Sequence, residues 1–251
     1  MKRTFWVLVS IFLSLNGQAK EGVPMGQSHN DYRQKRPLTT AIESGMKLIE
    51  ADVFFRKGTL YVGHTVLHIN QTHNLHDLYL RPLVEAVRSG KIYPLKLVID
   101  VKSEPITTLN EIVKQLNAYS EVFNDQSPIK IVISGKRPKP CDWDKYPNYI
   151  FFDGRPNEQY TEAEWQRVGM MSANFKHYIR FFVGKYKTQK LKTTIQTAHD
   201  KGKIVRFWKT HDKERTWERL TKLGVDVINT DKPLKLKLFL DKKTHQATIQ
   251  H

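Results

Sequence analysis

The chain of 251 residues carries 41 Lys and Arg against 25 Asp and Glu, a formal charge of +16, with 39% hydrophobic residues and a single Cys. That balance is too apolar for a disordered chain and too varied for a fibrous one. One Cys excludes an internal disulfide framework and a thiolate metal site, and the positive charge favours anionic ligands (phosphorylated solutes, anionic lipid surfaces, nucleic acid) without choosing among them.

The first element in chain order is apolar. Lys2-Arg3 precede a run from Phe5 to Leu15, and Gly17-Gln18-Ala19 follow it; this is the order of a secretory signal peptide. The run is shorter than the ~20 residues of a membrane-spanning helix, so a cleaved signal over residues 1–19 is expected rather than an uncleaved anchor. The chain is then expected to be secreted or periplasmic. Residues 20–251 read as one domain, because no Gly/Ser- or Pro-rich linker and no solenoid-length repeat divides them. Their length suits a (β/α)8 barrel of roughly 250 residues.

A first strand is expected over 24–28, with His29 at its end, and a helix over 38–44. A second strand over 47–54 carries Glu50 and Asp52, two residues apart and so on one face. Arg56-Lys57-Gly58 then reads as a three-residue hairpin loop with Gly58 left-handed. That loop pairs Phe55 with Thr59 and sets Glu50 opposite His64. Residues 67–77 read as a polar loop whose His68, His73 and His76 fall short of the four ligands of a structural zinc site. A helix over 78–89 leads to a strand over 95–101, where Asp100 and Lys102 repeat the two-residue spacing. Helices over 107–118, 162–168, 188–201 and 213–223 then mix with strands over 129–134, 149–152, 171–175, 203–207 and 225–229. Asp153, Asn174 and Trp208 lie near the C-terminal ends of three of these strands, where barrel sites are built. Lys235, Lys237, Lys242 and Lys243, beside Leu234, Leu236, Leu238 and Phe239, read as the solvated face of a terminal helix, with a membrane-docking face as the alternative.

Apolar strands without strict alternation are what a parallel sheet covered on both faces requires. Eight of them, with helices after most, favour a closed TIM-like barrel over an open sheet. Carboxylates that close apolar strands are costly unless paired or bound to a cation. Glu50, Asp52 and Asp100 are hard oxygen donors that suit Mg²⁺ or Ca²⁺, and an ion-pair network at the barrel rim is the alternative. His29 and His64, both at strand ends, are candidates for a general acid and a general base. The sequence carries no Walker loop, G-x-S-x-G elbow or dinucleotide fingerprint.

Ser28-His29-Asn30-Asp31, Glu50-Ala51-Asp52, Val62-Gly63-His64, Ile99-Asp100-Val101-Lys102 and the stretch from Gly224 to Asp231 follow one another in that order. As an ordered set, spanning about residues 26–240, they resemble the phospholipase C-like phosphodiesterase superfamily, which includes glycerophosphodiester phosphodiesterases and spider-type phospholipase D enzymes. The branch labelled altered inheritance of mitochondria protein 6 shares these phrases. The resemblance implies a distorted TIM barrel with a metal-dependent phosphodiesterase site at its strand C-termini. It implies catalytic roles for His29 and His64, metal ligation by Glu50, Asp52 and Asp100, and contact of Lys102 with the substrate phosphate. Two positions depart from the glycerophosphodiesterase pattern: Asn30 stands where Arg is usual, and Asp100 replaces Glu as in the spider-type branch. The implied substrate is a glycerophosphodiester or a (lyso)phospholipid-type phosphodiester, with Asn30, Asp153, Asn174 and Trp208 expected around the pocket. Rival readings are a phosphate- or lipid-binding barrel without catalysis and a secreted nuclease, although the repeated aromatic and basic interleaving of a single-strand platform is missing.

Overall fold

The computed structural model describes residues 22–178 and 188–249, so the expected signal segment lies outside the described residues. In chain order the regular elements are β1 (Met25–Ser28), α1 (Thr39–Glu43), β2 (Leu48–Arg56), β3 (Thr59–Val62), α2 (Arg81–Arg88), β4 (Leu95–Val101), α3 (Pro105–Asn117), β5 (Ile129–Gly135), β6 (Ile150–Gly154), α4 (Glu162–Arg167), β7 (Val168–Asn174), α5 (Thr188–Asp200), β8 (Val205–Trp208), α6 (Glu214–Lys222), β9 (Val227–Thr230) and α7 (Pro233–Ile249). Eight strands are parallel and closed on themselves: β1 pairs with β9 on one side and β2 on the other, and β3 lies antiparallel on β2. This is the expected TIM-like barrel. Among the described residues no helix is long and apolar enough to cross a membrane.

Two boundaries moved for visible reasons. Helix α4 starts at a Thr161–Glu164 capping box and stops at Arg167, whose guanidinium donates to the carbonyls of Tyr146, Pro147 and Ile150. Val168, expected as the last helical residue, therefore opens β7, while Phe175 falls in a short turn of 3-10 helix after it. The hairpin register is also corrected. Lys57 (φ 47) and Gly58 (φ 79) are both left-handed, which makes a two-residue turn whose twist matches the flanking strands. Arg56 pairs with Thr59 and Phe55 with Leu60, one residue away from the expected register. The returning arm thus delivers His64 to Asp52 rather than to Glu50.

Position along each strand decides what faces the inside of the barrel. Leu48, Val98, Val132, Met170 and Val227 form a buried cluster of their own, against which Met25, Phe151 and Ile204 pack. That is one apolar residue from each of the eight parallel strands, or from the residue preceding it in β8. Two residues further on, facing the same way, stand Gln27, Glu50, Asp100, Ser134, Asp153, Ser172, Arg206 and Asn229. Every member of this second layer is polar. The apolar layer plugs the barrel, and the polar layer sits on the plug. A separate, larger cluster on the outer face of the sheet packs the strands against the helices, including Leu83, Leu109, Leu191, Leu220, Leu236 and Phe239. Leu236 and Phe239 are thus the packed side of α7, and Leu234 and Leu238 its exposed side.

If the plug supports the site, Leu48→Ala, which empties a fully buried position, costs about 2–5 kcal/mol. Urea denaturation monitored by tryptophan fluorescence measures that loss.

Candidate active site

The polar layer is tied together by a buried guanidinium. Arg206 Nη1 lies 2.6 Å from Glu50 Oε2, its Nη2 lies 3.4 Å from Asp153 Oδ2, and its Nε donates to Ser172 Oγ at 3.0 Å. Gln27 Nε2 also donates to Glu50 Oε2 (2.5 Å), and Ser134 Oγ donates to Asp153 Oδ2 (2.8 Å). Burial works against the guanidinium, but Glu50 and Asp153 more than offset it and hold its pKa above the ordinary arginine value. Burial pushes Asp153 up despite the same partner.

Glu50 and Asp52 from β2 and Asp100 from β4 each present a carboxylate oxygen within 4.8 Å of the others, the one such convergence of potential metal ligands among the described residues. The adjacent strands pair Asp52 directly with Asp100, so local register brings the acids together. Lys102 Nζ bridges them, 2.7 Å from Asp100 Oδ2 and 3.2 Å from Asp52 Oδ1. Burial lowers the Lys102 pKa and the two aspartates raise it, with the aspartates prevailing. Burial likewise pushes Asp100 up, against the pull of Lys102. Gly135 completes the setting: it is left-handed (φ 70), and a Cβ there would fall 1.9 Å from Asp100 Oδ1.

These residues fit a divalent cation. Asp100 Oδ1 is buried and makes no hydrogen bond, and buried Asp52 Oδ1 makes none and has only the Lys102 ammonium, 3.2 Å away, a costly state for charged oxygens unless a further cation completes it. Glu50, Asp52, Asp100 and Asp153 also outnumber Lys102 and Arg206 by two charges, the charge of one divalent ion. An all-oxygen set of this kind suits Mg²⁺ or Ca²⁺.

The two histidines flank this cluster, and each gives its Nδ1 to a carboxylate. His29 Nδ1 is 2.7 Å from Asp231 Oδ1, and His64 Nδ1 is 3.0 Å from Asp52 Oδ2. Such a bond fixes the tautomer and directs proton traffic to Nε2; for His29 that atom lies 3.7 Å from Glu50 Oε1. Burial disfavours the His29 imidazolium, yet the Asp231 hydrogen bond and the charges of Glu50 and Asp231 outweigh it and raise the pKa above the ordinary histidine value. Asn30, left-handed at φ 46, places Nδ2 3.0 Å from His29 Nδ1. The Tyr32 hydroxyl lies 2.9 Å from both Asn30 Oδ1 and Asp52 Oδ2, donating to one at a time. Buried Asp31 pins this loop by accepting from Ser28 Oγ, Tyr79 Oη and the Leu38 amide.

All ten residues singled out from the sequence line one cavity of about 990 Å³ at the C-terminal mouth of the barrel: His29, Asn30, Glu50, Asp52, His64, Asp100, Lys102, Asp153, Asn174 and Trp208. Asn174 lines it while its side-chain oxygen accepts from the Lys176 amide. His73 and His76 of the 67–77 loop do not line it. His76 is held through both ring nitrogens, by Asp77 (3.0 Å) and by Tyr119 (2.8 Å), and the His68 side chain lies outside the described residues. Two important residues escaped the sequence reading. Arg206 interrupts an apolar strand, and a charge in such a place needs a buried partner. Asp231 follows the last strand, held there by Asp212, which accepts from its amide and from Thr230 Oγ1.

Comparison with known proteins agrees with the geometry. A model of the AIM6-like phosphodiesterase domain matches residues 20–93, and one of the glycerophosphoryl diester phosphodiesterase family matches residues 205–233. The altered inheritance of mitochondria protein 6 homolog of Arthroderma benhamiae is 26% identical, the match covering 81% of this chain and 80% of that protein. Altered inheritance of mitochondria protein 6 of Eremothecium gossypii is 24% identical over 81% of this chain and 66% of its own length. Among solved structures, a glycerophosphodiester phosphodiesterase from Parabacteroides distasonis superposes with a TM-score of 0.60 at 15% identity, over 88% of this chain and 98% of that one. Its likeness supports the barrel fold.

Two outcomes test this geometry. Arg206→Met strands two buried carboxylates and costs about 3–5 kcal/mol at pH 7; protonation of those acids relieves the penalty, so the loss in urea denaturation shrinks towards pH 5. Asp231→Asn removes a charge that helps hold His29 up, so the His29 imidazole, followed by proton NMR, titrates at lower pH than in the parent.

Proposed function

The chain is a glycerophosphodiester phosphodiesterase-like superfamily member close to the altered inheritance of mitochondria protein 6 branch, and we propose on that premise that it is a metal-dependent phosphodiesterase. Its substrate in this reading is a glycerophosphodiester or a (lyso)phospholipid-type phosphodiester. One observation carries the proposal: three acids converge at one barrel mouth, two of them with a buried oxygen that makes no hydrogen bond, beside two imidazoles that are each oriented by a carboxylate. Composition of residues 1–19 supports export of the protein.

Glu50, Asp52 and Asp100 would hold Mg²⁺ or Ca²⁺, which supplies Lewis-acid stabilisation of charge on the phosphoryl oxygens. Lys102, already beside two of those acids, adds a fixed positive charge for the same oxygens. His29 takes the proton of the attacking hydroxyl as its oxygen bonds to phosphorus. His64 gives a proton to the departing alkoxide as the opposite P–O bond breaks. Attack by a neighbouring hydroxyl of the substrate leaves a cyclic phosphate, and attack by water leaves a phosphomonoester. Asp231 suits His29 to the base role, because its charge favours the protonated ring that the first step creates.

Purified full-length protein should hydrolyse bis(p-nitrophenyl) phosphate with Mg²⁺ or Ca²⁺, lose turnover in a chelator and recover it on adding back the ion. His29→Ala and His64→Ala should each lose about 10²–10⁴-fold in kcat, and the parent should show a bell-shaped pH profile. A rise in Tm with the ion but no turnover would establish a binding barrel instead, and full turnover in both histidine variants would eliminate the mechanism.

A further inference from the structure

Besides the acid cluster on β2 and β4, the cavity is lined by exposed cations. Lys136 follows β5, Lys209 follows β8, and Lys190 stands in the first turn of α5; all three line the cavity and are exposed. Among the described residues none of the three has a carboxylate partner, unlike Lys102. Two of them cover aromatic faces instead. Lys209 Nζ lies 4.8 Å from the centre of the Trp208 ring, and Lys190 Nζ lies 5.4 Å from that of Tyr178. Lys209 does so from a left-handed backbone (φ 58), which a non-glycine residue holds when its surroundings impose it.

That arrangement discriminates by charge. An aromatic face at a pocket wall is what binds a quaternary ammonium group. Here Trp208 and Tyr178 are each already faced by an ammonium of the protein, so an incoming cation at either face would meet a like charge. An anion would meet three unpartnered donors. The volume, about 990 Å³, stands at the upper end of the range for small-molecule pockets and leaves room for a second charged group beyond the scissile phosphate.

We propose that Lys136, Lys190 and Lys209 form a second anion subsite, so that this protein prefers phosphodiesters whose alcohol portion carries a further phosphate or carboxylate, and disfavours choline-type diesters. The inference rests on the phosphodiesterase reading of the same cavity. An anionic group of this kind can belong to a soluble deacylated diester or to a lysolipid, and the two sources share the same chemistry.

The test measures kcat/KM of the full chain, with its activating ion, on glycerophosphoinositol 4-phosphate against glycerophosphocholine, and on lysophosphatidylinositol 4-phosphate against lysophosphatidylcholine. The phosphorylated member should lead by about tenfold or more, equivalent to about 1.4 kcal/mol. A preference in either series supports the subsite, and the series with the larger ratio names the source. The triple variant Lys136→Gln, Lys190→Gln, Lys209→Gln should bring the ratio close to one through KM, with bis(p-nitrophenyl) phosphate turnover unchanged. Equal kcat/KM on both members of each pair, or a ratio untouched by the triple variant, overturns the proposal and leaves the phosphodiesterase reading standing. If no diester is hydrolysed, that reading fails by itself, and calorimetry decides the subsite. Binding of glycerophosphoinositol 4-phosphate that exceeds binding of glycerophosphocholine and is lost in the triple variant supports it; equal binding overturns it.

Discussion

A guanidinium inside a barrel must be neutralised where it stands, and the way Arg206 is neutralised organises the site. Its two main partners come from different sides of the barrel, Glu50 on β2 and Asp153 on β6. Together with Ser172 on β7 they commit its donors to three strands besides its own. The pairing also divides the acids by task. Asp153 and one oxygen of Glu50 are consumed in holding the interior, so Glu50 is fixed with its other oxygen towards His29. Asp52 is held by Lys102, His64 and Tyr32, whereas Asp100 has Lys102 on one oxygen and keeps on the other the unmet demand that a divalent ion would answer. A hydrophobic replacement for the whole network is conceivable on stability alone. It would erase the orientation of Glu50, and that orientation is what the proposed chemistry uses.

The change from plug to polar layer happens within two residues along every parallel strand. Below the change, side chains such as Leu48 and Val98 exclude water. Above it, Glu50 and Asp100 look into the cavity. Because a strand alternates its faces, the same two-residue step that turns apolar to polar inside the barrel leaves the outer face unaffected: Ile49, Ala51 and Val53 stay buried throughout against the helical shell. The site therefore interrupts neither the sheet nor its outer packing. It also explains why the acids remain buried while facing solvent-filled space, and why burial raises the pKa of Asp100 and Asp153.

Strand positions and the two-residue acid spacings were legible in the sequence because they express local periodicity. Glu50 with Asp52, and Asp100 with Lys102, could be set on one face before any strand was paired with another. The hairpin register was not legible, since it turned on Lys57 adopting a left-handed backbone beside Gly58, and lysine carries no mark of that choice. The identity of the acid serving each histidine was hidden for the same reason: a slip of one residue exchanged Glu50 for Asp52 as the partner of His64. Arg206 was hidden more deeply. Among many surface cations in a strongly basic chain, this buried one is marked only by its apolar strand neighbours, and its partners are 156 and 53 positions away.

His29 and Asp231 lie 202 residues apart, on the first strand's exit and just beyond the last strand's. They meet because β9 closes against β1, with Ser28 paired to Thr230 and the His29 amide donating to the Thr230 carbonyl. An open sheet with the same strands would leave both residues on free edges. His64 depends on closure far less, since its partner Asp52 is reached through one hairpin. The two imidazoles are thus set by different physics, one by a local turn and the other by the global topology. A barrel whose closing seam loosens would lose the orientation and raised basicity of His29 first, while His64 and the acid cluster on β2 and β4 kept their geometry. The His29 half of the site therefore depends on the same contact that closes the barrel.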